Sequence, residues 1–567
     1  MCAPKCVPTL RKFFFYGMLR RLFHFAGPLV VAAVFLSCSG GGSTAEAPTQ
    51  AASSRVALIA WNDLGMHCID QDYSVFSLLP PYNNLHAQLI DRTTGTPVTS
   101  GVVLTYEAAA DTAGSINTSS SRKTNFWDWV SLLFGVQPAK DIGLAGNPVQ
   151  SKTPAVMTYD AAQGYWKAEG IPAVPYDDAG NTNYYPIVKL VAKDASGNIL
   201  AVTKTVLPVS DEMTCVRCHA SDTGDPAALP AAGWVHDPSP EKDWKRNILS
   251  LHDDRNLTSS AYAAALATTG YRTAGLLAAS DAGTPILCAN CHASNALGKS
   301  GIPGIPQLTT SMHSWHGTQV MDDDTGLPLD STTDRAACYY CHPGSTTQCL
   351  RGVMGAATDP TGNLLLHCQS CHGSMSQVGA SGRNGWLDLP SCQGCHYPSQ
   401  AAGGYVRDTS SFDPSGTWRQ AASIFGTGPE LYKLKAEHGM QCQACHGSTH
   451  AEYPSSTAND NVQSIVLQGY AGKIVECFVC HAIVPLTNNG GPHGMHTVGQ
   501  AWVSRHGGFA QTDAAACTTC HGADYDGTFL SKISTGKTFD IGEARTQTLS
   551  AGHRVNCFDC HNGPGGQ

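Results

Sequence analysis

A pair of cysteines two residues apart, followed at once by histidine, is a pattern suited to one kind of chemistry. Each thiol can add to a vinyl group of a haem to form a thioether, and the histidine lies close enough to bind the iron from one face. The chain carries this pentad nine times: Cys215, Cys218 and His219; Cys288, Cys291 and His292; Cys338, Cys341 and His342; Cys368, Cys371 and His372; Cys392, Cys395 and His396; Cys442, Cys445 and His446; Cys477, Cys480 and His481; Cys517, Cys520 and His521; Cys557, Cys560 and His561. A lone Cys-x-x-Cys would read as half of a zinc ribbon or as a redox dithiol. Neither needs the trailing histidine, and a redox motif does not recur down a chain. The set predicts nine covalently bound haem c groups.

Each iron has a second axial position, and its ligand sets the chemistry. Two histidines give a low-potential electron carrier, histidine with methionine raises the potential, and an empty position makes an enzyme. Fourteen of the 23 histidines lie outside the pentads. The candidates for the far side of the irons are His252, His313, His316, His367, His438, His450, His493, His496, His506 and His553, with His67, His86 and His236 weaker. His367 directly precedes Cys368, His438 and His553 stand four residues before a motif, and His450 stands four after His446. With histidine in surplus, Met66, Met312, Met440 and Met495 read as filler around the macrocycles.

The elements that hold these residues fall into two kinds. From about residue 211 to 567 the chain is a nine-haem region in which little polypeptide separates successive motifs; those beginning at Cys368 and Cys392 are closest. Porphyrin faces must then supply much of the buried apolar surface, and short tethers must hold neighbouring haems close together. This region is expected to be mostly irregular with short helices and little regular secondary structure. The one clear helical stretch is Ser259 to Ala279, interrupted by Gly270.

Residues 55–210 lack the motif and differ in composition. Val56–Trp61, Leu85–Ile90, Val102–Tyr106, Tyr165–Ala168, Tyr185–Val191 and Ile199–Val206 read as short strands, the last two flanking an Asp-Ala-Ser-Gly-Asn turn. They predict an all-β sandwich, immunoglobulin-like in general plan, with a short helix at Phe126–Phe134 as an insertion. Before it, residues 39–54 form a Gly/Ser/Ala/Pro linker, and residues 1–38 an export signal. Arg20 and Arg21 precede the apolar run Ala26–Leu36, which ends Val34-Phe35-Leu36-Ser37-Cys38. That ending resembles a lipoprotein cleavage box, with Cys38 as the lipidated residue; an ordinary cleaved signal near Ala45 is the alternative.

Beyond the pentads and the leader, Cys68 and Cys349 remain. In an oxidising compartment a disulfide between them is one reading; free thiols, or a metal site of His67 and Cys68 with His86, are the others. The formal net charge of −9 with only 14% charged residues, made more negative by haem propionates, argues against a nucleic-acid partner.

Asn62-Asp-Leu-Gly-Met-His-Cys68, Leu79-Pro-Pro-Tyr82 with Leu85-His86, Cys338–Gly352 and Gly552–His561 resemble segments of large multihaem c-type cytochromes from electroactive, metal-reducing bacteria. The resemblance implies an exported electron carrier, periplasmic or at the outer surface and often lipid-anchored. It would pass electrons to other cytochromes, extracellular metal oxides or electrodes, with a porin as a further partner and membrane contact through the lipid alone. Two rivals stand beside it. One is an oxidoreductase with one open haem acting on nitrogen or sulfur oxyanions, against which all nine pentads end in histidine and none in lysine. The other is a filament subunit that lends surplus histidine to its neighbour.

Overall fold

The computed structural model describes residues 54–323, 325–331, 335–359, 361–383, 392, 439–483, 496, 498–527, 531–533 and 535–563. The leader, the linker and Cys38 lie outside them. Residues 47–567 form one compact unit.

Two antiparallel sheets build the N-terminal part. In the first, Val56–Asn62 pairs with Leu85–Asp91, then Tyr165–Ala168 and Thr158–Asp160 follow, with Thr96–Pro97 added to the Leu85–Asp91 strand. In the second, the order is Ile199–Val206, Ile187–Asp194, Val102–Ala109 and Ala155–Val156. Alternation decides which side chains meet between them. Val188, Leu190 and Ala192, at period two on one strand, join Leu104 and Tyr106 in a core shared with Leu58, Ala60, Leu85, Ala87 and Leu89 of the first sheet. The turn between the last two long strands closes on Asp194, whose Oδ1 accepts from Ser196 N and Asn198 N at 2.9 Å each.

Val56–Asn62 departs from this alternation because all seven of its residues are buried. Val56, Leu58 and Ala60 face the β core. Ala57, Ile59 and Trp61 face the other way and pack with Met440, Ala444, Leu467, Ile474 and Val479. A strand covered on both faces reads as an unbroken apolar run, which is what this sequence shows. The motif-bearing segment 439–483 thus serves as the second layer over the outer face of the sheet. One short parallel pairing, Ile286–Leu287 with Phe76–Ser77, also ties the regions, while another, Val209–Ser210 with His67–Cys68, lies within the N-terminal part.

The helical part departs from expectation in two places. The predicted 259–279 helix is two helices, Ser260–Thr269 and Leu276–Asp281, because Gly270 closes the first in the left-handed conformation (φ 76°). Ahead of them lies a longer, unanticipated helix, Pro240–Asn256, with Pro at its start and Glu241 and Asp243 in its first turn. Its buried face is polar. Lys245, fully buried, donates to Asp70 Oδ1 (3.3 Å) and to the carbonyls of Asp72 (2.5 Å) and Phe76 (3.2 Å).

On the same helix, the Asp253 carboxylate accepts from Leu276 N and Leu277 N at 2.9 Å each and from the Tyr262 hydroxyl, so it caps the helix Leu276–Asp281. Asp253→Ala is expected to cost about 1–2 kcal/mol, the usual value of a lost cap, measured as a lowered denaturation midpoint.

A second unanticipated element is the hairpin of Lys537–Gly542 and Arg545–Leu549. It turns through Glu543 and Ala544, both left-handed at φ 53° and 58°. Such turns usually carry Asn-Gly, and this one does not announce itself.

Candidate haem-binding site

Each described pentad is one turn of helix. The histidine N–H donates to the carbonyl of the first cysteine at 3.0 Å in His219, His292 and His342, at 2.9 Å in His481 and at 3.2 Å in His561. Positions i, i+3 and i+4 share one face of such a turn, so both sulfurs and the imidazole project together. This is the arrangement needed to grip one edge of a macrocycle and reach its iron. Cys395 and His396 lie outside the described residues, as does the side chain of Cys520.

Opposite six of the motif imidazoles stands a second imidazole. Ring centres are 6.4 Å apart for His219 and His316, 6.4 Å for His252 and His292, 6.2 Å for His313 and His342, 6.0 Å for His372 and His450, 6.3 Å for His496 and His521, and 5.7 Å for His506 and His561. In the last pair the Nε2 atoms face each other at 3.5 Å. An imidazole nitrogen sits about 2 Å from a bound metal ion, so two rings on opposite sides of one ion have centres roughly 6 Å apart.

The other ring nitrogen is held by backbone. Nδ1 of His313 meets Thr309 O at 2.9 Å, of His316 Met312 O at 2.5 Å, of His506 Val503 O at 2.8 Å, and of His450 Leu64 O at 2.8 Å. Among motif histidines, His292 meets Pro306 O (2.9 Å), His521 Val555 O (2.8 Å) and His561 Gly563 O (2.8 Å). A carbonyl can only accept, so Nδ1 carries the proton and the lone pair is left on Nε2, the nitrogen free to bind iron. Burial keeps several of the facing rings neutral: it lowers the pKa of His252, His313 and His521 and pushes His219 down to about 4, whereas at His450 burial is outweighed by Cys349 and Glu452, which raise it to about 9.

Neighbouring sites touch. The helix Leu308–Gln319 supplies both His313 and His316, three residues apart, to the motifs at Cys338 and Cys215. Thr214 N donates to Cys341 O at 3.2 Å. Cys338 and Cys368, from two successive motifs, lie side by side, as do Cys392 and Cys442. Beside the His506–His561 pair lies a cavity of about 440 Å³ lined by Cys560, His561, Phe558, Ile541 and Arg545 among others. Its lining is mostly polar, with Thr546, Gln547, Asp559 and Asn562 beside the apolar Ile541 and Phe558.

The other histidines are placed differently. His553 Nε2 is paired with Asp559 Oδ1 at 2.7 Å, and His67 Nε2 with Asp63 Oδ1 at 2.7 Å. His86 is buried and stacked on Tyr165, with ring centres 4.4 Å apart. His236 is exposed, 3.9 Å from Asp222. His367 stands at the head of the helix Cys368–His372, where its backbone N–H donates to Ser370 Oγ at 3.0 Å. His438 and His493 lie outside the described residues. Among the described residues, no group of three or more His, Cys, Asp or Glu is placed to hold a bare metal ion.

Cys68 and Cys349, the two cysteines read as a possible disulfide, lie close enough for their charges to interact. Burial, with Cys349 nearby, pushes the Cys68 thiol well up and keeps it protonated. The Cys349 sulfur stands 4.0 Å from Nδ1 of His450. Sequence reading also missed Trp502, stacked on His496 at 3.9 Å, and Arg545 beside His561. Neither adjoins a motif, so neither gave a signal.

Residues 366–565 match the family described as outer membrane cytochrome MtrC/MtrF-like, domains II/IV. Over that stretch the chain is similar to the multihaem c-type cytochromes of metal-reducing bacteria. No curated protein matches it. The match supports covalently bound haem c, extracellular electron transfer and an exported, outer-surface location. Among the described residues, no helix is long and apolar enough to cross a membrane.

Proposed function

We propose that this cytochrome carries nine haems and conducts electrons along them to partner cytochromes or extracellular acceptors such as metal oxides. The observation that carries the reading is the set of six facing histidine pairs. When bound, the haems supply one-electron chemistry at iron. The chain's own residues do the rest. The motif cysteines would hold the haem covalently, the paired histidines would bind its iron, and carbonyls at Nδ1 fix the orientation of the rings they meet and make them stronger donors. An iron held by two histidines would leave no place for a substrate, so at these six sites the pairs favour the carrier over the oxyanion reductase. His367, His438 and His493 are the candidates left to face His396, His446 and His481.

The N-terminal sheets, immunoglobulin-like in general plan on this reading, cover one side of the motif-bearing segment. A lipid on Cys38 would tether the particle to the outer membrane, and a porin is a candidate partner there.

Intact mass and the pyridine haemochrome of the purified protein are expected to give nine haems per chain, with a wholly low-spin spectrum. A high-spin component in the wild-type protein that binds cyanide or nitrite would overturn the carrier in favour of the enzyme.

A further inference from the structure

His450 is held unlike the other facing histidines. It adopts the left-handed backbone conformation at φ 67°, a strained one for a residue with a side chain, which persists where surrounding contacts over-determine it. Those contacts are present. Its carbonyl accepts from Arg351 N (2.8 Å) and Gly352 N (2.7 Å), and its own N–H donates to Glu452 Oε1 (2.8 Å).

The ring is fixed from much further away. His313, His316 and His506 donate from Nδ1 to carbonyls three or four residues back. His450 donates to Leu64 O, 386 positions earlier, in the loop that leaves the first strand of the N-terminal sheets. That loop is shaped for the approach. Asn62 Oδ1 accepts from Leu64 N (3.1 Å) and Gly65 N (2.6 Å), while Asn62 N donates to Ser448 Oγ (2.9 Å). Gly65 sits at φ 74°, and a Cβ there would lie 1.9 Å from Thr449 O. Only glycine lets the two backbones come this close.

We propose that the Asn62–Gly65 turn is a positioning element for His450. Through it, the N-terminal domain sets the orientation and donor strength of one axial ligand, that of the haem at Cys368, Cys371 and His372. This rests on the reading of His450 as an iron ligand. It gives the motif-free domain an electronic role, since whatever displaces this turn would alter one haem among nine. The physical route is the hydrogen bond from Nδ1: losing it makes the imidazole a weaker donor and raises that iron's potential, and outer-sphere partners of this kind typically change metal affinity by about 10–100-fold.

The test uses the full-length, haem-loaded protein. Gly65→Ala should shift one low-spin ferric signal in the electron paramagnetic resonance spectrum and raise one midpoint in a potentiometric titration. It should also let cyanide displace one axial ligand at about 10–100-fold lower concentration. Gly101→Ala, at the same φ of 74° but with nothing within 4 Å of its Cβ, controls for backbone strain and should do none of these. Should Gly65→Ala fail to fold, Asn62→Ala removes the acceptor that shapes the turn, adds no bulk, and should move the same signal the same way. Folded variants with all signals and midpoints unchanged would overturn the proposal. Loss of the low-spin spectrum in the wild-type protein would instead overturn the carrier reading beneath it.

Discussion

Replacing His313 and His316 together with alanine is expected to turn two of the haems high-spin and create two cyanide-binding sites per chain. One helix, Leu308–Gln319, presents both rings, to His342 and to His219, at centre distances of 6.2 and 6.4 Å. Alanine favours a helix more than histidine does, so the scaffold should persist while both imidazoles disappear. The motif cysteines are untouched, so haem content should stay at the wild-type value. Cyanide titration followed by absorbance counts the opened sites. An unchanged low-spin spectrum would mean that these rings do not bind iron, and a single new site would remove one of the two assignments.

The second large effect concerns Arg351 and Asp460. Both side chains are almost completely buried, and Nε and an Nη of the arginine meet the two carboxylate oxygens at 2.6 and 2.8 Å. Removing one partner strands a charge in the interior, so Arg351→Met is expected to destabilise the protein by about 3–5 kcal/mol. Asp460→Leu should cost a similar amount. The double variant, which buries no charge, should be more stable than either single one. Denaturant unfolding of all three separates this from ordinary loss of packing, for which the two costs would add.

What the sequence disclosed follows from how local each constraint is. The pentads were legible because thioether attachment demands a fixed spacing within one helical turn, and that turn is visible at Cys215–His219 and Cys288–His292. The strands of the N-terminal sheets were legible from short apolar runs set off by turn residues, as Tyr185–Val191 and Ile199–Val206 flank Asp194–Asn198. The pairing of rings was not, because His316 reaches His219 and His450 reaches His372 through contacts that no local pattern encodes. His553 illustrates the limit: it stands close to a motif in sequence, yet its ring is bonded to Asp559. The Pro240–Asn256 helix was missed because its buried face carries Asp243, Lys245, Asn247 and Asp253, which periodicity arguments assign to solvent.

The first strand of the N-terminal sheets has its outer face covered by residues near position 440 to 480. An exported chain delivers that strand early and its cover late, so the strand's second apolar face stays wet until most of the polypeptide has arrived. The two regions are therefore not interchangeable cassettes. Cutting the chain near residue 210 would leave a greasy edge on both pieces, and a transplanted cytochrome half would have to bring its own lid.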